Sequence, residues 1–269
     1  MFKTRLLSGI VLVAILLAGI LLGNWVFWAL ILFVSLVGLY ELYKLEHIEK
    51  TPMYAAAVIG TVIYALALKF NVFWGFVIFV FFGLFIALAM IYVLTFPKYK
   101  ATQFILAFFS FFYVPVMLFC MYLIRSMPHG ILLIWLVIIA SWGCDTGAYC
   151  VGMRLGKHKL APVLSPKKSI EGAVGGVVVS AVIGLIFSLI FGSRMDIFAH
   201  PVAVCVIISA AGAVLSQFGD LTASAIKRHY EIKDYGTLIP GHGGIMDRFD
   251  SVIFISPVIY MLLVAFTLL

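Results

Sequence analysis

Nine apolar runs partition this chain, at about 6–22, 25–40, 53–68, 72–94, 101–124, 130–153, 171–192, 200–226 and 250–268, and nearly all charge lies between them or at their ends. Each approaches the roughly 20 residues that carry an α-helix across the hydrocarbon core of a bilayer. The pattern predicts an all-α, polytopic integral membrane protein with about nine transmembrane helices. Lys3 and Arg5 ahead of the first run resemble the start of a signal peptide. The apolar stretch is too long for one, however, and no clean small-x-small cleavage site follows, so a retained anchor is expected.

Composition closes off the soluble alternatives. Hydrophobic residues make up 65% of the chain and charged residues 11%, with a mean hydropathy of +1.20. That balance belongs to membrane proteins. Trp25, Trp28, Tyr40, Tyr43, Tyr54, Trp74, Tyr92 and Tyr99 fall near run ends, where interfacial aromatic belts form. Cys120, Cys144, Cys150 and Cys205 lie inside apolar runs without CxxC or Cys/His spacing, so they read as small buried hydrophobes.

Charge then sets orientation. If the chain crosses at each run, fifteen of the 18 Lys and Arg share the side of the N-terminus, leaving Lys69, Arg125 and Arg194 on the other. The positive-inside rule makes the fifteen cytoplasmic. The formal charge of +7 is therefore a property of the cytoplasmic face, suited to anionic lipid and nucleotide phosphates. Nothing further supports a nucleic-acid partner.

The chain reads as a single membrane domain, with helical scaffold over 1–130 and the chemistry over 131–269. In the first part Glu41, Glu46 and Glu49 are expected on a solvated loop with Lys44, His47 and Lys50. Pro115 predicts a kink in the fifth helix. The sixth run ends in Ser141-Trp142-Gly143-Cys144-Asp145-Thr146, placing Asp145 roughly 13–14 Å from the cytoplasmic end of its helix. A carboxylate facing lipid there costs roughly 2.5–3.5 kcal/mol, which favours a wet cavity or a bound cation over a helix clamp. Residues 154–176 form a basic loop in which Ser165-Pro166-Lys167-Lys168-Ser169 leads into the seventh helix, a natural anion site. A plain positive-inside loop would explain the lysines, but not Glu171 or the glycines behind them. Gly172, Gly176, Ser180, Gly184, Ser188 and Gly192 then recur every fourth residue. That step drifts by about 40° each time, so the six cannot share one seam. They suit packing within the chain or a homodimer contact.

The stretch from Asp220 to Asp250 concentrates the chemistry. Five of the chain's eleven acids lie there, at Asp220, Glu231, Asp234, Asp247 and Asp250, beside Lys227, Arg228, Lys233 and Arg248. Asp247 and Asp250 are three apart, on one side of a helix. Pro240-Gly241-His242-Gly243-Gly244 is a turn that permits close backbone approach. Hard oxygen ligands, basic side chains and a glycine turn together describe a Mg²⁺-dependent phosphoryl-type site.

These residues carry a resemblance. Ser224, Lys227-Arg228, Lys233-Asp234, Gly236, Pro240, His242-Gly243-Gly244, Asp247-Arg248 and Asp250 resemble the signature of the phosphatidate cytidylyltransferases, or CDP-diacylglycerol synthases, with no departure over 27 positions. Asp145-Thr146-x-Ala148-Tyr149 and Ser165-Pro166-Lys167-Lys168-Ser169-x-Glu171-Gly172 resemble a second block of that family. The N-terminal half resembles it only generically. The resemblance implies transfer of CMP from CTP to phosphatidate, with Mg²⁺ and room for a second cation, divalent or monovalent. Asp220, Asp247, Asp250 and Asp145 would face metal. Lys227, Arg228, Lys233 and Arg248 would bind phosphates or pair with carboxylates, and His242 with Gly243 and Gly244 would contact a phosphate. Ser165, Lys167, Lys168 and Ser224 would complete the substrate site. A cation-coupled transporter is the competing class, weakened by charges gathered on one face and by the lack of an inverted repeat. Another membrane cytidylyl- or phosphotransferase is the nearer alternative.

Overall fold

A computed structural model describes residues 2–241 and 243–268, and each apolar run forms a helix in it. We number them α1 (Phe2–Leu22), α2 (Asn24–Leu45), α3 (Pro52–Lys69), α4 (Trp74–Leu94), α5 (Ala101–Ser126), α6 (Gly130–Leu155), α7 (Ile170–Phe191), α8 (Pro201–His229) and α9 (Met246–Thr267). Among the described residues, α2 to α9 are long and apolar enough to cross a membrane, and Leu6–Leu22 of α1 is a shorter apolar stretch. The fold is thus an all-α polytopic membrane protein. Its outward faces are apolar where lipid would lie, as with Phe79, Phe82 and Ile86 of α4 and Val174, Val178 and Leu189 of α7. The expected basic loop contains a small antiparallel hairpin, β1 (Lys159–Ala161) with β2 (Ser165–Ser169), pairing Lys159 with Ser169 and Ala161 with Ser165.

The chain divides into two compact units. The first comprises Met1–Phe119 with Asp234–Asp247. Lipid supplies no hydrophobic drive between helices, so close packing and interhelical hydrogen bonds hold them. The Trp28 indole donates to Ala65 O at 2.9 Å and the Tyr43 hydroxyl to Ala107 O at 2.9 Å, tying α2 to α3 and to α5. Tyr64 meets Phe81, Phe111 and Phe119 edge-on at ring separations of 5.8–6.1 Å. The kink expected at Pro115 is a π turn over Phe112–Val116, where the missing proline N–H interrupts the helical ladder.

One expectation fails here. Helix α2 continues five residues beyond the run at 25–40, so Glu41 is helical and not on a solvated loop. Glu41 is only 4% exposed. A buried carboxylate needs donors, and Glu41 finds them in the backbone N–H groups of Ile245 and Met246.

The second unit comprises Cys120–Lys233 with Arg248–Leu269. Within it α7 turns one side inward, where Gly172, Gly176, Ser180, Gly184 and Ser188 are all buried. The drift of this stripe is used by giving α7 two neighbours. A Cβ on Gly176 would lie 2.7 Å from Cys144 O of α6, and one on Gly184 would lie 2.9 Å from Cys205 O of α8. Ser180 sits between, its hydroxyl 3.0 Å from Ile139 O and 3.1 Å from Ser209 O. These small residues therefore serve packing within the chain. Cys144 and Cys205 are buried as expected, but Cys150 is exposed, because it falls on the outward side of α6 beside Tyr149.

Candidate active site

Two close approaches in the second unit gather its polar side chains. At Gly219 of α8 a Cβ would lie 2.6 Å from Phe254 Cβ and 3.2 Å from Asp250 O, so α8 meets α9 backbone to backbone beside Asp220 and Asp250. The hydroxyls of Ser141 and Ser251, hydrogen-bonded at 2.7 Å, add α6 to the same place. One turn beyond Ser141 comes Asp145, and immediately before it α6 opens into a π turn, Ile139–Gly143. Asp145 is within electrostatic reach of Lys168, Asp220 and Arg248. Asp250, 7% exposed, is in reach of Asp220, Lys227 and Asp145.

The hairpin delivers the lysines. Lys168 of β2 forms an ion pair with Asp220 of α8. Glu171 explains why the hairpin stands where it does. Its carboxylate accepts from Lys157 N at 3.1 Å and His158 N at 3.2 Å, and hydrogen-bonds to His158 Nδ1 at 2.6 Å, fixing the chain ahead of β1 to the first turn of α7. Ser169 caps that turn by accepting from Gly172 N at 3.1 Å. The glycines behind the lysines allow α6 and α7 to touch, since a Cβ on Gly172 would lie 2.8 Å from Ala148 O.

Two cavities open here. One, of about 200 Å³, is lined by Leu164, Ser165, Pro166, Lys167, Ser224, Lys227, Arg228 and Lys233. Its polar lining is hydroxyl and cationic, as a polyphosphate site requires. The other, of about 450 Å³, has apolar walls that include Ala148, Met153 and Leu160, and carries Asp145, Lys167, Lys168 and Gln217. Lys167 lines both. Gln217 is fixed by donating to Ala173 O at 3.0 Å.

The first unit holds the glycine turn. Asp247 Oδ2 accepts from Tyr235 N at 2.8 Å and Gly244 N at 2.9 Å, and Ile239 N donates to Gly243 O at 2.9 Å. Gly243 has φ +86°, where only glycine is unstrained, and a Cβ there would lie 2.8 Å from Asp247 Oδ2.

The sequence model of the Cytidylyltransferase family matches residues 3–266, nearly the whole chain. The chain belongs to that family. Proteins named phosphatidate cytidylyltransferase are among its relatives. One from Bacillus subtilis (strain 168) is 39% identical over 139 residues, covering 52% of this chain and 50% of the relative. Others, from Staphylococcus epidermidis (strain ATCC 12228) and Staphylococcus aureus (strain COL), are 36% and 38% identical over 144 residues, covering 54% of each chain. The chain thus spans about half the length of the curated relatives it matches.

In this chain the residues expected from sequence fall into two groups. Asp145, Ser165, Lys167, Lys168, Asp220, Ser224, Lys227, Arg228, Lys233, Arg248 and Asp250 belong to the second unit, and the cavities and contacts above join most of them. Gly243, Gly244 and Asp247 belong to the first unit, where Asp247 holds the turn. His242 lies outside the described residues. Among the described residues no three His, Cys, Asp or Glu side chains are grouped closely enough to enclose a metal ion. The Mg²⁺ expected from the sequence does not require such a cage, because it keeps water and takes one or two carboxylates with substrate phosphates. Asp145, Asp220 and Asp250, mutually within electrostatic reach beside Lys168, Lys227 and Arg248, fit that mode. Sequence reasoning missed Glu41 and Gln217, and gave Glu171 no role. Glu41's only signal was an acid inside an apolar stretch, Leu39-Tyr40-Glu41-Leu42-Tyr43.

Proposed function

We propose that this chain transfers the CMP moiety of CTP to phosphatidate, forming CDP-diacylglycerol and pyrophosphate. The observation that carries the reading is the pair of cavities sharing Lys167: a small one lined by hydroxyls and cations, and a larger one with apolar walls. The first suits a triphosphate and the second the phosphate and glycerol end of a lipid. The names of the relatives support the same pair of substrates.

The chemistry asks little of a base. A phosphomonoester has its second pKa near about 6, so phosphatidate already carries a nucleophilic dianion at neutral pH. One of its oxygens attacks the α-phosphorus of CTP. The bond from that phosphorus to the bridging oxygen breaks, and pyrophosphate departs with the electron pair. Lys167, Lys227, Arg228 and Lys233 hold and neutralise phosphate oxygens, so positioning and charge compensation provide the acceleration. Lys168, paired with Asp220, fixes the hairpin over the site. Asp220 and Asp250, with Asp145, would hold Mg²⁺, which when bound supplies further charge neutralisation at the phosphates; a second cation has carboxylates to share. Among the described residues no Ser-His-Asp or Cys-His set favours a covalent intermediate, and in this reading displacement is direct. The charge asymmetry of the loops supports a cytoplasmic site in a bacterial inner membrane.

The test is direct. Purified protein in mixed micelles with phosphatidate, Mg²⁺ and α-labelled CTP should yield labelled lipid and unlabelled pyrophosphate in equal amounts. Label in water-soluble CMP alone, or lipid product formed equally well from a neutral diacylglycerol, would overturn the reading.

A further inference from the structure

Glu41 has no place in the chemistry above, yet it is among the most constrained side chains of the first unit. It sits in the last turns of α2 with Leu39, Leu42 and Tyr43 fully buried around it. Its Oε1 accepts from Ile245 N at 3.0 Å and its Oε2 from Met246 N at 2.8 Å. Met246 opens α9, and the first amides of a helix have no partners of their own. An anion there also gains from the positive end of the helix.

The fit is reciprocal. A Cβ on Gly236 or on Gly244 would strike Glu41 Oε1, so the carboxylate fills the space that glycine leaves at both positions. Asp247 takes the neighbouring amides, Tyr235 N and Gly244 N. The two carboxylates thus divide the backbone donors of one turn. That accounts for glycine at 236 and 244 without appeal to turn geometry. It also links a residue from the N-terminal scaffold to Met246, the first residue of α9.

We propose that Glu41 is a positioning residue for the transfer reaction, setting the 236–246 backbone and the starting point of α9. The inference rests on the cytidylyltransferase reading above. Glu41 touches no reacting atom and acts through the turn. Its loss should therefore lower turnover more than substrate affinity, because misplacing reacting groups costs rate while the phosphate-binding cations remain.

Glu41→Gln provides the test, since it keeps shape and one acceptor but turns an NH₂ group toward a backbone N–H. Loss of a charge-assisted hydrogen bond predicts a kcat roughly 10- to 100-fold lower, with KM for CTP and phosphatidate within about threefold of wild type. Amide hydrogen exchange should rise over 236–246 and stay unchanged in α7. Gly244→Ala disturbs the same contact from the other side. The double variant should then lose no more than the worse single one, as contacting residues do. Glu41→Asp, which keeps charge but withdraws the carboxylate by one methylene, serves the same comparison if Glu41→Gln does not fold. A variant that melts earlier but keeps full kcat per folded molecule would reduce Glu41 to a structural cap and overturn the proposal. If wild-type protein makes no CDP-diacylglycerol, the functional reading fails separately. Exchange then decides alone: faster exchange over 236–246 sustains the anchoring of the turn, and unchanged exchange overturns it.

Discussion

Lys168 and Asp220 form an ion pair that fastens the second strand of the basic hairpin to α8. Its neighbour Lys167 makes no ion pair among the described residues and lines both cavities. Adjacent lysines thus have different work. Lys168→Gln should lower thermal stability and activity together, because Asp220 is left half-buried without its cation. Lys167→Gln should keep the melting temperature and weaken substrate use by roughly 10- to 100-fold at subsaturating concentrations. Melting in detergent alongside initial rates separates the two, and equal behaviour would contradict the division.

Asp145 faces a cavity that also holds Lys167 and Lys168. Asp145→Asn should therefore leave the protein folded, depress activity and shift its Mg²⁺ dependence to higher concentration. Titration of activity against Mg²⁺ checks this. A fall in melting temperature with activity per folded molecule intact would instead mark a helix clamp.

Gly219→Ala tests the backbone contact that brings α8 to α9. Its Cβ would meet Phe254 Cβ at 2.6 Å, so the helices must part. Overpacking of this kind costs about 1–3 kcal/mol. A lower melting temperature is expected, with activity falling further than folded fraction, since Asp220 and Asp250 move with their helices.

Asp247 has two candidate roles that respond differently to substitution. Asp247→Asn keeps an oxygen that can accept from Tyr235 and Gly244, so the turn should persist while a charge-dependent function is lost. Asp247→Ala removes both. Loss of activity in both variants, with loss of stability only in the alanine one, is the expected pattern. Retained activity in the asparagine variant would confine Asp247 to holding the turn.

Orientation can be read by labelling. A cysteine at Lys159, in the hairpin, should react only from the cytoplasmic side, and one at Arg194, beyond α7, only from the opposite side. The reverse result would overturn the topology.

The helices were legible because the apolar runs are long and uninterrupted, those of α2 to α9 long enough to cross a membrane. The residues that the second unit brings together were largely legible as candidates as well, since acids and bases inside so apolar a chain stand out. What could not be read was partnership across distance. Glu41 looked like one more acid in a mixed-charge stretch, because its donors lie more than 200 residues away and are backbone groups, which sequence does not display. The hairpin escaped notice because a three-residue Lys-Leu-Ala strand and a five-residue Ser-Pro-Lys-Lys-Ser strand are too short and too polar to carry an apolar alternation.

The wide turn at Ile139–Gly143 has a geometric consequence for α6. A π turn absorbs one residue more than an α-helix would, and one residue is worth about 100° of azimuth. Everything beyond it, Asp145 included, is rotated relative to the part that begins at Gly130. Excising a single residue from this turn would restore an unbroken helix and swing Asp145 away from Lys168 toward a different neighbour, with no side chain at the site altered. The aim of this carboxylate is therefore set by residue count as much as by residue identity.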